Sequence, residues 1–201
     1  MKVIVIDTET TGVSSKDQVI QMTYIPLPEN IVILREAFEL SQNSPKVFAE
    51  DLKNLSTTQM FKPNVPIHPK AQETHGIRYV DLLKHPPVST LKAPEADVYL
   101  GHNISFDHRM LGKPDVKLIC TMALAKQIGK KHGLDFPNHK LDDLTIHFFE
   151  KDAIAVTPEY HNAYMDCVKT LLVLLKLLEY TPGIKSWKEL YNFLSLLKGV
   201  K

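Results

Sequence analysis

Asp7 and Glu9 stand two residues apart in Lys2-Val-Ile-Val-Ile-Asp7-Thr-Glu9-Thr-Thr-Gly12. The apolar run ahead of them suits a strand buried on both faces. Residues two apart on a strand point to the same side, so the two carboxylates project together. Such a pair repels itself and is costly to desolvate, unless a cation lies between the acids or one keeps its proton. Taken alone, it is also what a strand end with two exposed acids looks like. Two further acids stand out: Asp107, in Gly101-His-Asn-Ile-Ser-Phe-Asp107, and Asp166, in Tyr160-His161-Asn-Ala-Tyr-Met-Asp166. An Asp in a first helical turn, as at 107, is favoured by the helix dipole whatever its function. His161 and Asp166, five residues apart, would lie about 140° apart on a regular helix. A shared target therefore requires His161 in the loop ahead of the helix and Asp166 one turn inside it. A histidine on a loop can move, which suits a proton carrier.

Four carboxylates and one histidine suit hard divalent cations such as Mg²⁺ or Mn²⁺, which prefer oxygen ligands. Two such ions about 3.5–4 Å apart form the clamp used for in-line attack on a phosphodiester. Zinc would call for cysteines or several histidines at close spacing, which the chain lacks. His132 and His139 are too loosely placed to be strong ligand candidates.

The elements that must position these groups follow from pattern. Strands are expected at 3–7, 18–25, 31–40, 97–103 and 116–120, the first three joined by turns into an antiparallel meander. The proline-rich stretch from 41 to about 95 allows short helices at 47–53 and 69–84, with Gly76 as a C-terminal cap near His75. Ser105 opens a helix to Leu111, and further helices are expected at 121–131, 141–149, 163–180 and 186–198. In the long helix Val168, Leu171, Leu172, Leu175 and Leu178 recur at helical spacing. In the last, Trp187, Leu190, Tyr191, Leu194 and Leu197 form one stripe, the usual mark of core packing. The order implies an α/β fold, a five-stranded mixed sheet (antiparallel meander plus parallel strands) flanked by helices.

With 201 residues the chain can bury a full core without staples. A 44% hydrophobic and 23% charged composition is ordinary for a globular protein. A net charge of +1 means that contact with a polyanion would rest on a local patch. Cys120 and Cys167 form no framework, so a reduced, cytoplasmic setting is expected. The leading apolar run breaks at Asp7, unlike a signal peptide, and no run approaches a membrane span.

Asp7-Thr-Glu9-Thr-Thr-Gly12, His102-Asn-Ile-Ser-Phe-Asp107 and His161-x4-Asp166 together resemble the three motifs of the DnaQ-like (DEDDh) 3′→5′ exonucleases. The resemblance spans roughly residues 3 to 180. Thr74-His-Gly-Ile77, Lys140-Leu-Asp-Asp-Leu144 and Ile119-Cys-Thr-Met-Ala-Leu-Ala125 match as well. The last of these, with His161 to Cys167, is especially similar to the exonuclease X branch.

The resemblance implies a ribonuclease H-like fold, with an exonuclease domain at 1–182 and a C-terminal helix, 183–201, packed on it. It implies that Asp7, Glu9, Asp107 and Asp166 hold two Mg²⁺ or Mn²⁺ ions and that His161 is the general base. Thr10, Thr11 and Gly12 would approach the terminal nucleotide, and His75, Asn103 and Phe106 would line its pocket. The subclass that uses Tyr as base carries it four residues before the last Asp, where this chain has Asn162. Gln21 stands where many members have an acid, with expected effects on sheet packing or on contacts behind the ligands. The implied activity is release of nucleoside 5′-monophosphates from nucleic acid 3′ ends, with DNA favoured over the RNA of oligoribonuclease and ribonuclease T. A polymerase-bound proofreading or accessory subunit, or a homodimer, is the rival expectation, supported only by the C-terminal stripe.

Overall fold

A computed structural model describes residues 1–198, with side chains described as far as Leu196; Leu197 of the expected stripe and residues 199–201 of the C-terminal segment lie outside the described residues. A five-stranded mixed sheet has the order β3-β2-β1-β4-β5. Its strands are β1 (Val3–Thr10), β2 (Val19–Pro26), β3 (Thr57–Met60), β4 (Val98–Gly101) and β5 (Lys117–Cys120). β2 runs antiparallel to β1 and β3, whereas β4 is parallel to β1 and β5. The helices are α1 (Ile31–Leu40), α2 (Pro45–Lys53), α3 (Pro69–His75), α4 (Ser105–Met110), α5 (Thr121–His132), α6 (Leu141–Phe149), α7 (Ala163–Glu179) and α8 (Trp187–Lys198).

Central β1 divides the core by its two-residue period. Val3 and Val5 join the larger core, built with α1, α2 and α5 to α8, while Ile4 and Ile6 join a smaller one containing Met22, Phe61, Tyr99 and Ile104. Asp7 and Glu9 continue the odd-numbered face, the one on which α7 packs. Pairing of β1 with β4 ends at Val5↔Leu100, whereas pairing with β2 continues to Thr10. The acidic end of β1 thus runs on beyond its parallel neighbour. A register shift between Glu9 and Thr10 marks a bulge there, a device that re-aims side chains beside functional sites.

The meander exists, but its third strand is not at 31–40. That segment is α1, whose buried Ile31, Leu34 and Phe38 follow helical spacing while Ile33 and Leu40 are exposed. The side chain of Asn30 caps it by accepting the Ile33 N–H at 3.1 Å. The β-branched start favours a strand locally, but the helical spacing of the buried residues over the ten-residue segment prevails. The third strand is β3, three polar residues and Met60 at a sheet edge, tied to β2 by a 2.8 Å hydroxyl pair between Thr23 and Thr58. The helix expected over 69–84 is α3 alone, ended by Gly76 in the left-handed region (φ 70°), followed by a 3₁₀ turn at Tyr79–Leu82.

The C-terminal stripe faces inward. Trp187, Leu190 and Leu194 are buried in the larger core, and the Trp187 indole N–H donates to the Pro28 carbonyl at 2.8 Å. No helix among the described residues is long and apolar enough to cross a membrane.

Candidate active site

Each acid reaches the site from its own element. Asp7 and Glu9 stand on the extension of β1, Asp107 on α4 directly after β4, and Asp166 in the first turn of α7. The crevice beyond the carboxyl ends of parallel strands is where open α/β sheets place ligands. Asp107 is fixed by Thr8, whose backbone N–H and hydroxyl donate to its Oδ1 at 3.0 and 2.8 Å. His161 lies in the loop before α7, as its five-residue spacing from Asp166 requires, and its backbone N–H donates to the Thr74 carbonyl of α3 at 2.9 Å.

The first turn of α7 has its free N–H groups satisfied. Gln21 Oε1 accepts from Ala163 at 3.1 Å, and the Asn162 side chain accepts from Tyr164 and Met165. Gln21 therefore acts behind the ligands, holding the helix that carries Asp166. Its Nε2 turns to the Met60 sulfur at 3.2 Å.

The acids crowd one another. Burial, then the carboxylates of Asp107, Asp166 and Glu9, push the Asp7 carboxyl well above its usual range. Burial and Asp166 push Glu9 up to about 7. Burial also raises Asp107 to about 7, against the stabilising donors of Thr8. Asp166 departs in the other direction. Burial opposes its ionisation, but the His161 hydrogen bond and the Lys169 ammonium prevail and hold it below its usual range. His161 is raised in return, chiefly by its hydrogen bond to Asp166.

One atom each of Glu9, His161 and Asp166 lie within 4.8 Å of one another, close enough to share a cation. Glu9 Oε1 is buried with no hydrogen-bond partner among the described residues, a costly state that a cation would relieve. The donors are hard oxygens with one imidazole, which suits Mg²⁺ or Mn²⁺. Residues and chemistry therefore fit a divalent ion.

Of the other expected residues, His75 is buried beside β1. Its Nδ1 accepts from Ile77 N–H at 3.0 Å and its Nε2 lies 3.2 Å from the Thr10 carbonyl, which places the proton on Nε2. Thr10 and Thr11 are buried and internally bonded. The Thr10 hydroxyl donates to the Gly12 carbonyl at 2.6 Å, and the Thr11 hydroxyl donates to Asp17 at 3.0 Å and accepts from Gln18 N–H at 2.9 Å. A Cβ at Gly12 would lie 2.7 Å from the Asp17 carboxylate, so a larger residue there would have to move that side chain away from Thr11 and Ser14. Asn103 is exposed at φ 59°, and Phe106 is half-buried with the Arg109 guanidinium 5.2 Å from its ring centre. A cleft of about 820 Å³ opens from His75 and His161 toward Thr58, with exposed Lys46 and Lys53 on its wall. A second cavity of about 870 Å³, between β5 and α8, contains none of the expected residues.

Two neighbours went unassigned in the sequence. Asp142 of α6 places Oδ2 3.5 Å from His161 Nε2, and buried Lys169 of α7 ion-pairs with Asp142 and Asp166. Lys169 left a signal, a charge inside an otherwise apolar run one turn after Asp166. Asp142 stood within the matched segment 140–144, where nothing in its spacing marked it from Asp143.

No family model matches the chain. It is 26% identical over 126 residues to Exodeoxyribonuclease 10 of Escherichia coli, in strain K12 and in strain O6:H1, over 60% of this chain and 54% of those proteins. The chain thus spans about half the length of the curated relatives it matches. The solved structure of exonuclease X in complex with 5′-overhanging duplex DNA matches with a TM-score of 0.63 at 19% identity, covering 96% of this chain and 99% of that one. E. coli Exonuclease I in complex with a dT13 oligonucleotide matches with a TM-score of 0.61 at 15% identity, covering 90% and 42%. At these identities the likeness to the solved structures is one of fold.

Proposed function

We propose that the protein is a divalent-metal-dependent 3′→5′ exonuclease that hydrolyses DNA from its 3′ end to nucleoside 5′-monophosphates. The observation that carries this reading is the convergence of Asp7, Glu9, Asp107 and Asp166 at one end of β1, where burial and neighbouring carboxylates raise Asp7, Glu9 and Asp107 and Glu9 Oε1 is left without a partner among the described residues. The similarity to Exodeoxyribonuclease 10 supports DNA as the substrate.

The four acids would hold two Mg²⁺ or Mn²⁺ ions, which when bound supply Lewis-acid polarisation of the phosphodiester and a more acidic attacking water. His161 takes the proton of that water. Its position on a loop, with Asp166 stabilising the charged ring, suits a group that accepts a proton and then releases it. Asp107, bonded through Oδ1 to Thr8, keeps Oδ2 for a ligand. The backbone at Thr10 to Gly12, with His75 behind it, forms one wall of the pocket for the terminal nucleotide. Asn103 and Phe106 supply an exposed polar group and an aromatic face for the other. The C-terminal helix belongs to the same domain as the sheet.

A 3′-labelled single-stranded DNA oligonucleotide, a matched duplex and the RNA equivalents, each with Mg²⁺, Mn²⁺ or EDTA, test the reading. Metal-dependent release of 5′-mononucleotides from DNA, lost in Asp7→Ala, is expected. Intact ends on every substrate with metal supplied would overturn it.

A further inference from the structure

Lys169 is among the largest side chains fully buried in the protein, at 1% exposure, although lysine is seldom fully buried unless paired. Its ammonium lies 2.6 Å from Asp166 Oδ1 and also ion-pairs with Asp142 Oδ1. The far oxygens of those two acids face His161, Asp166 Oδ2 at 3.1 Å from Nδ1 and Asp142 Oδ2 at 3.5 Å from Nε2. Lys169, Asp142, His161 and Asp166 thus close a ring of polar contacts beside the acid cluster, alternating in charge when His161 is protonated. Asp7, Glu9 and Asp107 make no such ion pair among the described residues.

A fixed positive charge against a metal-ligating carboxylate competes with the metal for that carboxylate's charge. Building on the metal-dependent reading, we infer that Lys169 is a positioning residue, a resident counter-ion that fixes Asp166 and lowers the affinity of its side of the site for divalent ions. Asp142 moderates that effect. It draws part of the ammonium's field to itself, so the ammonium does not act on Asp166 alone. An ion shared by Glu9, His161 and Asp166 is therefore held less tightly, and exchanged more readily, than those groups would hold it without the ammonium. A site that releases one ion easily suits an enzyme that must release a charged mononucleotide each cycle.

An inter-helical tie between α6 and α7 without electrostatic effect on the site is the alternative, and it differs in sign. Mn²⁺ binding by the full chain, without nucleic acid, is followed by electron paramagnetic resonance of the free ion and by calorimetry for the parent, Lys169→Met and Asp142→Asn, with circular dichroism melting to establish that each is folded. Removing the ammonium should tighten Mn²⁺ binding where Asp166 contributes about tenfold, and removing its partner anion should weaken it by a similar factor. Unchanged affinity, or shifts of the same sign in both variants, would overturn the inference. Should Lys169→Met not fold, Lys169→Gln, which keeps a hydrogen-bond donor toward Asp166 and Asp142 without the charge, decides instead: tighter Mn²⁺ binding is expected, and unchanged or weaker binding overturns the inference. A parent protein that binds no Mn²⁺ would instead overturn the metal-dependent reading itself, and this inference with it.

Discussion

At the scale of single residues, the site separates two duties. Asp166 is the acid held ionised by its neighbours, and the half-exposed ring of His161 can meet an incoming water. His161→Ala should lower turnover by a factor of about 10²–10⁴ while Mn²⁺ binding stays largely intact, as calorimetry beside single-turnover assays would show. Comparable loss of Mn²⁺ affinity would make His161 a ligand instead. Asp166→Asn should weaken Mn²⁺ binding and raise the metal concentration needed for half-maximal activity; an unaltered metal dependence would remove Asp166 from the ligand set. The acids and the histidine were legible because their types and order are constrained by chemistry. Lys169 and Asp142 were not, because what matters about them is contact across two helices, which spacing along one helix does not reveal. The internal bonds of Thr10 and Thr11 were equally hidden, since hydroxyls at a strand end fit solvent, ligand or loop alike.

At the scale of elements, His161 is tied to α3, so the end of that helix matters to a residue far along the chain. Thr74 accepts the His161 backbone N–H, and next to it Gly76 holds the left-handed cap, with Tyr160 packed where a Cβ would be, 2.9 Å from its ring. Gly76→Ala should cost about 1–2 kcal/mol for the left-handed backbone. It should also displace Tyr160 and its neighbour, so activity should fall more than the melting temperature accounts for. Full activity in a destabilised variant would separate the cap from the base. This cap could be read in the sequence because glycine is the residue that tolerates the conformation. Where local pattern was weaker, other contacts decided. The β-branched start of α1 favours a strand until the period of Ile31, Leu34 and Phe38 is followed to its end. Polar β3 carries no apolar alternation and exists because β2 offers it an edge.

At the scale of the whole molecule, the acid cluster sets how stability varies with pH. Asp7, Glu9 and Asp107 have folded-state carboxyls raised above their ordinary values, so without metal they favour the protonated protein. Their contribution is fully present below the ordinary carboxylate range and is lost as pH rises, through about 7 for Glu9 and Asp107. His161, also raised, acts in the same sense, whereas Asp166 is lowered and loses its contribution only as pH falls below the ordinary carboxylate value. The EDTA-treated protein should therefore melt at a higher temperature at pH 5.5 than at pH 8, and Mn²⁺ should raise the melting point more at pH 8. Equal melting temperatures at both pH values would mean that the acids carry little mutual strain.

Because β1 runs past the end of β4, the Thr8 amide has no strand to bond on that side, and an oxygen of Asp107 takes the missing neighbour's place. One carboxyl group thus completes the sheet's hydrogen bonding and faces the chemistry. Asp107→Ala should therefore loosen the end of the central strand as well as remove the acid, whereas Asp107→Asn keeps an oxygen for Thr8 and removes the charge alone.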